Sequence, residues 1–130
     1  MTEFSLPPEA LLQLCEVDRC PVTATMRVIG GKWKPAIIYA LELAGTQRFG
    51  ALRRLIPAAT QKMLTQHLRE LEADGIVWRR VYAEVPPRVE YGLTARGRTL
   101  SPVMAELANW GRERADVAAD GGGDPPAPAA

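Results

Sequence analysis

The sequence predicts a mainly α-helical domain with one small β-hairpin. Three features of the 130-residue chain support this prediction. Apolar residues recur at helical spacing in four segments before residue 75 and in one segment after residue 94. At 76–82 and 89–93 they recur at every second position, as in paired strands. Glycine or proline separates most of these segments, so the elements are short.

Two helices and a short extended stretch come first. Proline is favoured in the first turn of a helix, so Pro21 begins the first helix, and Gly30-Gly31 ends it. The second helix ends at Gly45, and residues 46–48 follow as an extended stretch. The apolar stripes of these helices are Val22, Met26 and Ile29 in the first, and Trp33, Ile37, Leu41 and Ala44 in the second.

Two further helices are joined by a short turn. The third is brief, carries Leu52 and Leu55 on its inner side, and is broken at Pro57. Thr60 is a suitable N-cap for the fourth helix, which ends at Gly75. Such a pair is typical of a helix-turn-helix, whose second helix enters the major groove of DNA. The inward stripe of the fourth helix consists of Leu64, Leu68 and Leu71.

A hairpin and one more helix complete the domain. Residues 83–88, which include two prolines, join the two strands as a stiff loop. Thr94 can cap the last helix, and Pro102 either kinks this helix or marks a second start. The resulting order of elements is that of a winged helix-turn-helix. The apolar face of the last helix comprises Leu100, Val103, Met104, Leu107 and Trp110.

The charges are segregated along the chain. The formal net charge is only +1, but residues 20–115 carry 15 basic and 8 acidic residues, and both ends are acidic. We therefore expect an N-terminal arm at 1–19, a folded domain at 20–115, and a disordered acidic tail at 116–130. Thirteen of the 16 basic residues are arginine, which matches phosphates and guanine edges. The basic, arginine-rich centre of the chain favours double-stranded DNA as the partner.

The composition excludes most enzyme classes and a membrane span. One histidine and two cysteines cannot form the usual four-ligand zinc site, and no P-loop or dinucleotide-binding motif occurs. His67 lies on the leucine side of its helix and is interpreted as a packed residue. No apolar run approaches the roughly 20 residues of a membrane helix, and residues 1–9 lack the basic start and apolar core expected of a secretion signal. We expect a cytoplasmic protein with no enzymatic activity, cofactor, metal or membrane partner.

The fourth helix carries the candidate DNA-reading residues on the face opposite its leucines. Its acidic residues come only in the last turns, away from where DNA would lie. The predicted base-reading residues are Gln61, Lys62, Thr65 and Gln66. The predicted phosphate contacts, some of which are alternatively plain solubility charges, are Lys32, Lys34, Arg53, Arg54 and Arg69.

Three arginines flank the hairpin loop, and they are Arg79, Arg80 and Arg88. One of them, Arg88 above all, is expected to reach a minor groove or the adjoining phosphates. In the alternative interpretation, Glu90 pairs with an arginine across the two strands.

Several sequence blocks together resemble the HxlR-type transcription regulators, a bacterial branch near the MarR type. The resemblance covers about residues 20–112, with the blocks in order. It implies a homodimeric DNA-binding regulator whose first and last helices form the dimer. The blocks are Cys20-Pro21, 30–34, 49–52, 62–75, 86–91, Leu93-Thr94 and Gly97. The expected dimer residues are Val22, Met26, Ile29, Leu100, Val103, Met104, Leu107 and Trp110.

Cys20 is a candidate redox sensor. It follows Arg19 and precedes Pro21, and a helix N-terminus beside a cation lowers the pKa of a thiol. Several members of the resembled family sense oxidants or electrophiles at this position; the alternative is a passive cysteine. Cys15 is the candidate resolving thiol.

Two alternatives to a DNA-binding regulator stay open, and the effector, a small molecule or an oxidant, is undefined. One alternative is a winged-helix protein-interaction module without sequence-specific DNA binding. The other is a thiol-based redox enzyme that uses Cys20, although the chain lacks a Cys-x-x-Cys pair.

Overall fold

The order of elements confirms the predicted winged helix-turn-helix. The structure, a computed structural model, describes residues 20–119, with side chains up to residue 114. Its elements are α1 (Pro21–Ile29), α2 (Lys34–Ala44), β1 (Gln47–Arg48), α3 (Phe49–Leu55), α4 (Gln61–Ala73), β2 (Val77–Tyr82), β3 (Arg88–Leu93), α5 (Ala95–Arg98) and α6 (Ser101–Ala119). The predicted N-terminal arm at 1–19 lies outside the described residues.

The three strands form one antiparallel sheet in the order β1-β3-β2. Strands β2 and β3 pair from Val77↔Leu93 to Tyr82↔Arg88, which is the predicted hairpin. The two-residue β1 pairs with the opposite edge of β3, through Gln47↔Tyr91. The extended stretch before α3 is therefore fixed to the wing, the β2–β3 hairpin.

The core confirms most of the predicted inward stripes and corrects one residue. Leu64, Leu68 and Leu71 of α4 are at most 1 % exposed, and Leu52 is fully buried. Leu55, however, is half exposed, because α3 ends there. The chain leaves the helix at Ile56, which turns inward and is buried instead.

Both predicted ends of α4 are confirmed. The Thr60 hydroxyl accepts a hydrogen bond from the Met63 amide at 3.1 Å, so it caps the helix. Gly75 follows the helix with φ of +75°, a conformation that glycine adopts without steric cost. The amide of Ile76 then donates to the Leu71 carbonyl and closes the last turn.

The predicted last helix is two helices. Thr94 caps the short α5, accepting from the Gly97 amide at 2.9 Å, and α6 starts anew at Ser101. Pro102 lies in the first turn of α6, where proline costs no intrahelical hydrogen bond, so it marks a restart. Helix α6 continues to Ala119, past the predicted start of the tail at Asp116. Residues 120–130 lie outside the described residues.

Candidate nucleic-acid interface

The outward face of α4 carries polar side chains. The four predicted base-reading residues all lie on it, together with Arg69, one of the predicted phosphate contacts. They line an open depression of about 690 Å³, formed by Gln61, Lys62, Thr65, Gln66, Arg69 and Glu70. The predicted recognition residues therefore share one continuous face.

The burial of the leucines sets the orientation of this face. With Leu64, Leu68 and Leu71 in the core, the opposite side of α4 points outward. The first turn of α4 contains no acidic residue, so the positive end of the helix dipole is not neutralised there. The surface suits an anionic partner.

Hydrogen bonds orient both glutamine side chains on this face. Arg53 Nη1 donates to Gln61 Oε1 at 3.4 Å, and Gln66 Nε2 donates to Glu70 Oε1 at 3.2 Å. Gln61 therefore presents its amide nitrogen as a donor, whereas Gln66 presents its amide oxygen as an acceptor.

Lys34 holds α2 to α4, which corrects its assignment as a phosphate contact. It is 9 % exposed, and its Nζ lies 2.6 Å from Glu70 Oε2, so the ammonium does not face solvent. Hydrogen bonds from Lys34 first, and from Gln66 next, lower the pKa of Glu70. His67, partly buried as expected, places Nδ1 3.6 Å from the same carboxylate. Lys34 and Glu70 are far apart in the sequence, so no local pattern signals this pair.

The other predicted phosphate contacts, Lys32, Arg53, Arg54 and Arg69, are all exposed. The Lys32 ammonium lies 5.0 Å from the centre of the Trp33 ring. Glu72, three residues after Arg69 on α4, pairs with Arg79 of β2 at 3.2 Å. The acids Glu70 and Glu72 are thus both neutralised by cations.

The wing arginines have different surroundings. Arg79 contacts α4 through Glu72, and the Arg80 guanidinium lies 5.7 Å from the Trp78 ring centre. The Arg88 guanidinium stacks 3.9 Å from the Tyr82 ring centre and pairs with Glu84 at 3.3 Å. Among the ion pairs of residues 20–114, none joins Glu90 to an arginine, contrary to the alternative interpretation.

The predicted dimer stripes divide between the core and the surface. Ile29 and Met104 are buried within the protomer, and Leu100 packs against the core, so these three belong to the fold rather than to an outer face. The apolar side chains of α1 and α6 point in more than one direction, and those on the inner side of each helix pack in the core. Five of the predicted residues stay at least 40 % exposed, namely Val22, Met26, Val103, Leu107 and Trp110.

Cys20 is the N-cap residue of α1 and is partly exposed. The pKa of its thiol is lowered, first by the backbone amide of Thr23 and then by the Thr23 hydroxyl. This agrees with the expected effect of a helix N-terminus. Arg19 and Cys15 lie outside the described residues.

Within residues 20–119, no three His, Cys, Asp or Glu residues are grouped as a metal would require. No described helix is long and apolar enough to cross a membrane.

A winged helix-turn-helix with this polar α4 surface defines the class, that of the helix-turn-helix transcription regulators. The chain belongs to the HxlR-like helix-turn-helix family, whose model matches residues 28–118. The resemblance seen in the sequence blocks is thereby confirmed.

Individual relatives agree with this assignment. The chain is 54 % identical over 100 residues to the HTH-type transcriptional regulator YybR of Bacillus subtilis (strain 168), covering 77 % of this chain and 79 % of YybR. The redox regulator HypR in its reduced form is 52 % identical with a TM-score of 0.71, over 77 % of this chain and 98 % of HypR. The reduced form of YodB from B. subtilis is 38 % identical with a TM-score of 0.61, over 70 % and 89 % of the two chains.

Proposed function

We propose that this regulator binds an inverted-repeat DNA operator as a homodimer through the N-terminal half of α4. The observation that supports this most is the shared outward face of Gln61, Lys62, Thr65 and Gln66. These side chains offer donors and acceptors to base edges. The acids of the same helix are neutralised by Lys34 and Arg79, so they add little repulsion toward phosphates.

Each exposed group has a proposed partner on the DNA. Gln61 donates to an acceptor such as guanine O6 or thymine O4, and Gln66 accepts from an exocyclic amine of adenine or cytosine. Arg53, Arg54 and Arg69 hold phosphates beside α4, as does Lys32 in the segment just before α2. The wing reaches the flanking backbone or minor groove with Arg80 and Arg88.

The experiment is a fluorescence-anisotropy titration of the DNA upstream of the protein's own gene at several salt concentrations. Arg69→Ala is expected to weaken binding to all DNA sequences alike. It should also reduce by about one the slope of log affinity against log salt concentration. Gln66→Ala is expected to cost roughly 1–3 kcal/mol of binding free energy and to relax the base preference at one position of the operator. Arg112→Ala is the matched control, because it also removes an exposed arginine, but one that lies on α6 rather than α4 and donates a hydrogen bond to Asn109.

Two results would contradict the proposal. Binding that hardly depends on salt would favour the protein-interaction module. An unchanged affinity and sequence preference in Gln66→Ala would show that α4 does not read bases.

The dimer is proposed from the exposed apolar residues of α1 and α6. Trp110 and Val22 are 64 % and 68 % exposed, and exposed large apolar side chains on a small domain are candidates for an interaction surface. A two-fold dimer presents two recognition helices to half-sites roughly 34–36 Å apart. We assign the five exposed residues of the α1 and α6 stripes to this interface.

We propose that oxidation of Cys20 regulates DNA binding. Its thiol is partly exposed, has a lowered pKa and begins α1, which carries part of the proposed interface. The solved structures of HypR describe a redox regulator in oxidised and reduced forms, and YodB has a diamide-treated structure. Diamide would take two electrons and two protons from Cys20 and a second thiol, giving a disulfide and the hydrazine form of the reagent. The second thiol is Cys15 or belongs to the other protomer.

A further inference from the structure

The Glu70 carboxylate joins α2 to the outward face of α4. Its two oxygens have different partners. Oε2 lies 2.6 Å from Lys34 Nζ and 3.6 Å from His67 Nδ1. Oε1 accepts a hydrogen bond from Gln66 Nε2 at 3.2 Å. The carboxylate therefore connects a lysine of α2 with one of the proposed base-reading residues, which lies four positions earlier on the same helix.

The α2 end of this connection is held in place. Lys34 is 9 % exposed, so its ammonium has little contact with water and takes the Glu70 carboxylate as its partner. The hydrogen bond from Lys34 is the largest of the effects that lower the pKa of Glu70. The Glu70 side chain is therefore both anchored and ionised at neutral pH.

The charge of Glu70 decides which end of the Gln66 amide faces it. An ionised carboxylate only accepts hydrogen bonds, so it attracts the amide nitrogen and repels the amide oxygen. Because the amide is planar, its oxygen then points away from Glu70. Gln66 is exposed on the outward face, where this oxygen is open to a partner. A glutamine without such a contact can turn its amide over, since the nitrogen and the oxygen are of nearly equal size.

We propose that Glu70, anchored by Lys34, is a positioning residue that sets the base preference of Gln66. This role rests on the proposed function, in which Gln66 reads a base edge. In the major groove adenine and cytosine present an exocyclic amine, whereas guanine and thymine present a carbonyl oxygen. An amide oxygen held outward accepts from the amines and is repelled by the carbonyls. Glu70 thus favours adenine or cytosine at one operator position without touching the DNA.

The test is selection of bound duplexes from a random-sequence DNA library by the full chain, followed by sequencing. Loss of preference in Gln66→Ala identifies the operator position that Gln66 reads. There the wild type is expected to favour adenine or cytosine by about tenfold, within the range that one good contact to a base provides. Glu70→Met keeps the length of the side chain but removes the acceptor. It is expected to reduce this preference to about threefold or less.

A second variant and a control separate positioning from folding and from charge. Lys34→Met combined with Glu70→Met replaces the whole pair by apolar side chains, so no buried ammonium is left without a partner. This double variant should show the same reduced preference, with folding checked by circular dichroism. Glu72→Met also removes an acid of α4 that pairs with a cation, but its partner is Arg79 of the wing. It should keep the base preference of the wild type, whatever its overall affinity.

Two results would overturn the positioning role alone. One is a Glu70→Met protein, or the double variant, that keeps the full preference at the position where Gln66→Ala loses it. The other is a wild type that favours guanine or thymine at that position. Unchanged preference at every position in Gln66→Ala would instead refute base reading by Gln66, and the positioning role with it.

Discussion

Gly97→Ala should destabilise the protein strongly, although alanine normally favours a helix. Gly97 lies in α5, which crosses the start of β2 without any space for a side chain. A Cβ at this position would lie 2.2 Å from the Ile76 carbonyl oxygen, where ordinary contact begins at about 3.4 Å. This carbonyl also accepts the Thr94 amide at 3.0 Å, so it is held in place. Helix α5 would have to move by about 1 Å.

The expected change in the free energy of unfolding is the balance of opposing effects. Overpacking of this kind costs about 1–3 kcal/mol, and loss of the Thr94 hydrogen bond to Ile76 adds about 1 kcal/mol. The higher helix propensity of alanine returns about 0.5–1 kcal/mol. We expect a net loss of about 2 kcal/mol, which lowers the melting temperature by roughly 10 °C in a domain of this size.

Gly111→Ala is the control with the same chemical change. Gly111 lies in α6, and a Cβ there meets nothing within 4 Å. It should therefore raise the free energy of unfolding by about 0.5–1 kcal/mol. Urea unfolding of both variants at one protein concentration measures the difference. A Gly97→Ala protein as stable as the wild type would refute the close approach of α5 to β2.

Three further predictions concern the contacts described above. Glu70→Gln should lower the urea midpoint at neutral pH, since Lys34 loses its partner. Because the folded pKa of Glu70 is lowered, this pair stabilises the protein above the ordinary carboxyl pKa. The difference from wild type should shrink as the pH falls through the lowered pKa, and a constant difference would contradict the pairing. Leu107→Glu should give a monomer in sedimentation where wild type and Glu106→Gln give a dimer; a monomeric wild type would contradict the interface. Cys20→Ser should abolish any effect of diamide on operator binding, and a variant that still responds would remove Cys20 as the sensor.

Local signals in the sequence predicted most of the elements. Thr60 and Thr94 cap helices as their positions suggested, and Gly75 ends α4 with positive φ. These features depend on residues within one turn of each other, so they can be read from the chain directly. The inward leucines of α4 follow from the same short-range periodicity.

Contacts between distant segments were not predictable in the same way. Lys34 looked like a surface cation until the fold placed Glu70 beside it. Periodicity likewise showed one apolar face on α1 and on α6, but not which residues each helix buries in its own protomer. Ile29 and Met104 are in the core while Trp110 is exposed, because the neighbouring elements, not the helix itself, decide this.

The pairing of β1 with β3 has a consequence for synthesis on the ribosome. β1 precedes α3 and α4, but its partner strand begins only at Arg88. Contacts that span such a stretch of chain form late. A nascent chain that has emerged only through α4 therefore holds the whole proposed recognition helix without the strand that anchors the segment before it. Tyr91, Leu93 and Met104 of the core are also still missing at that point. If α4 reads DNA as proposed, a product that terminates soon after this helix is expected to bind the operator poorly.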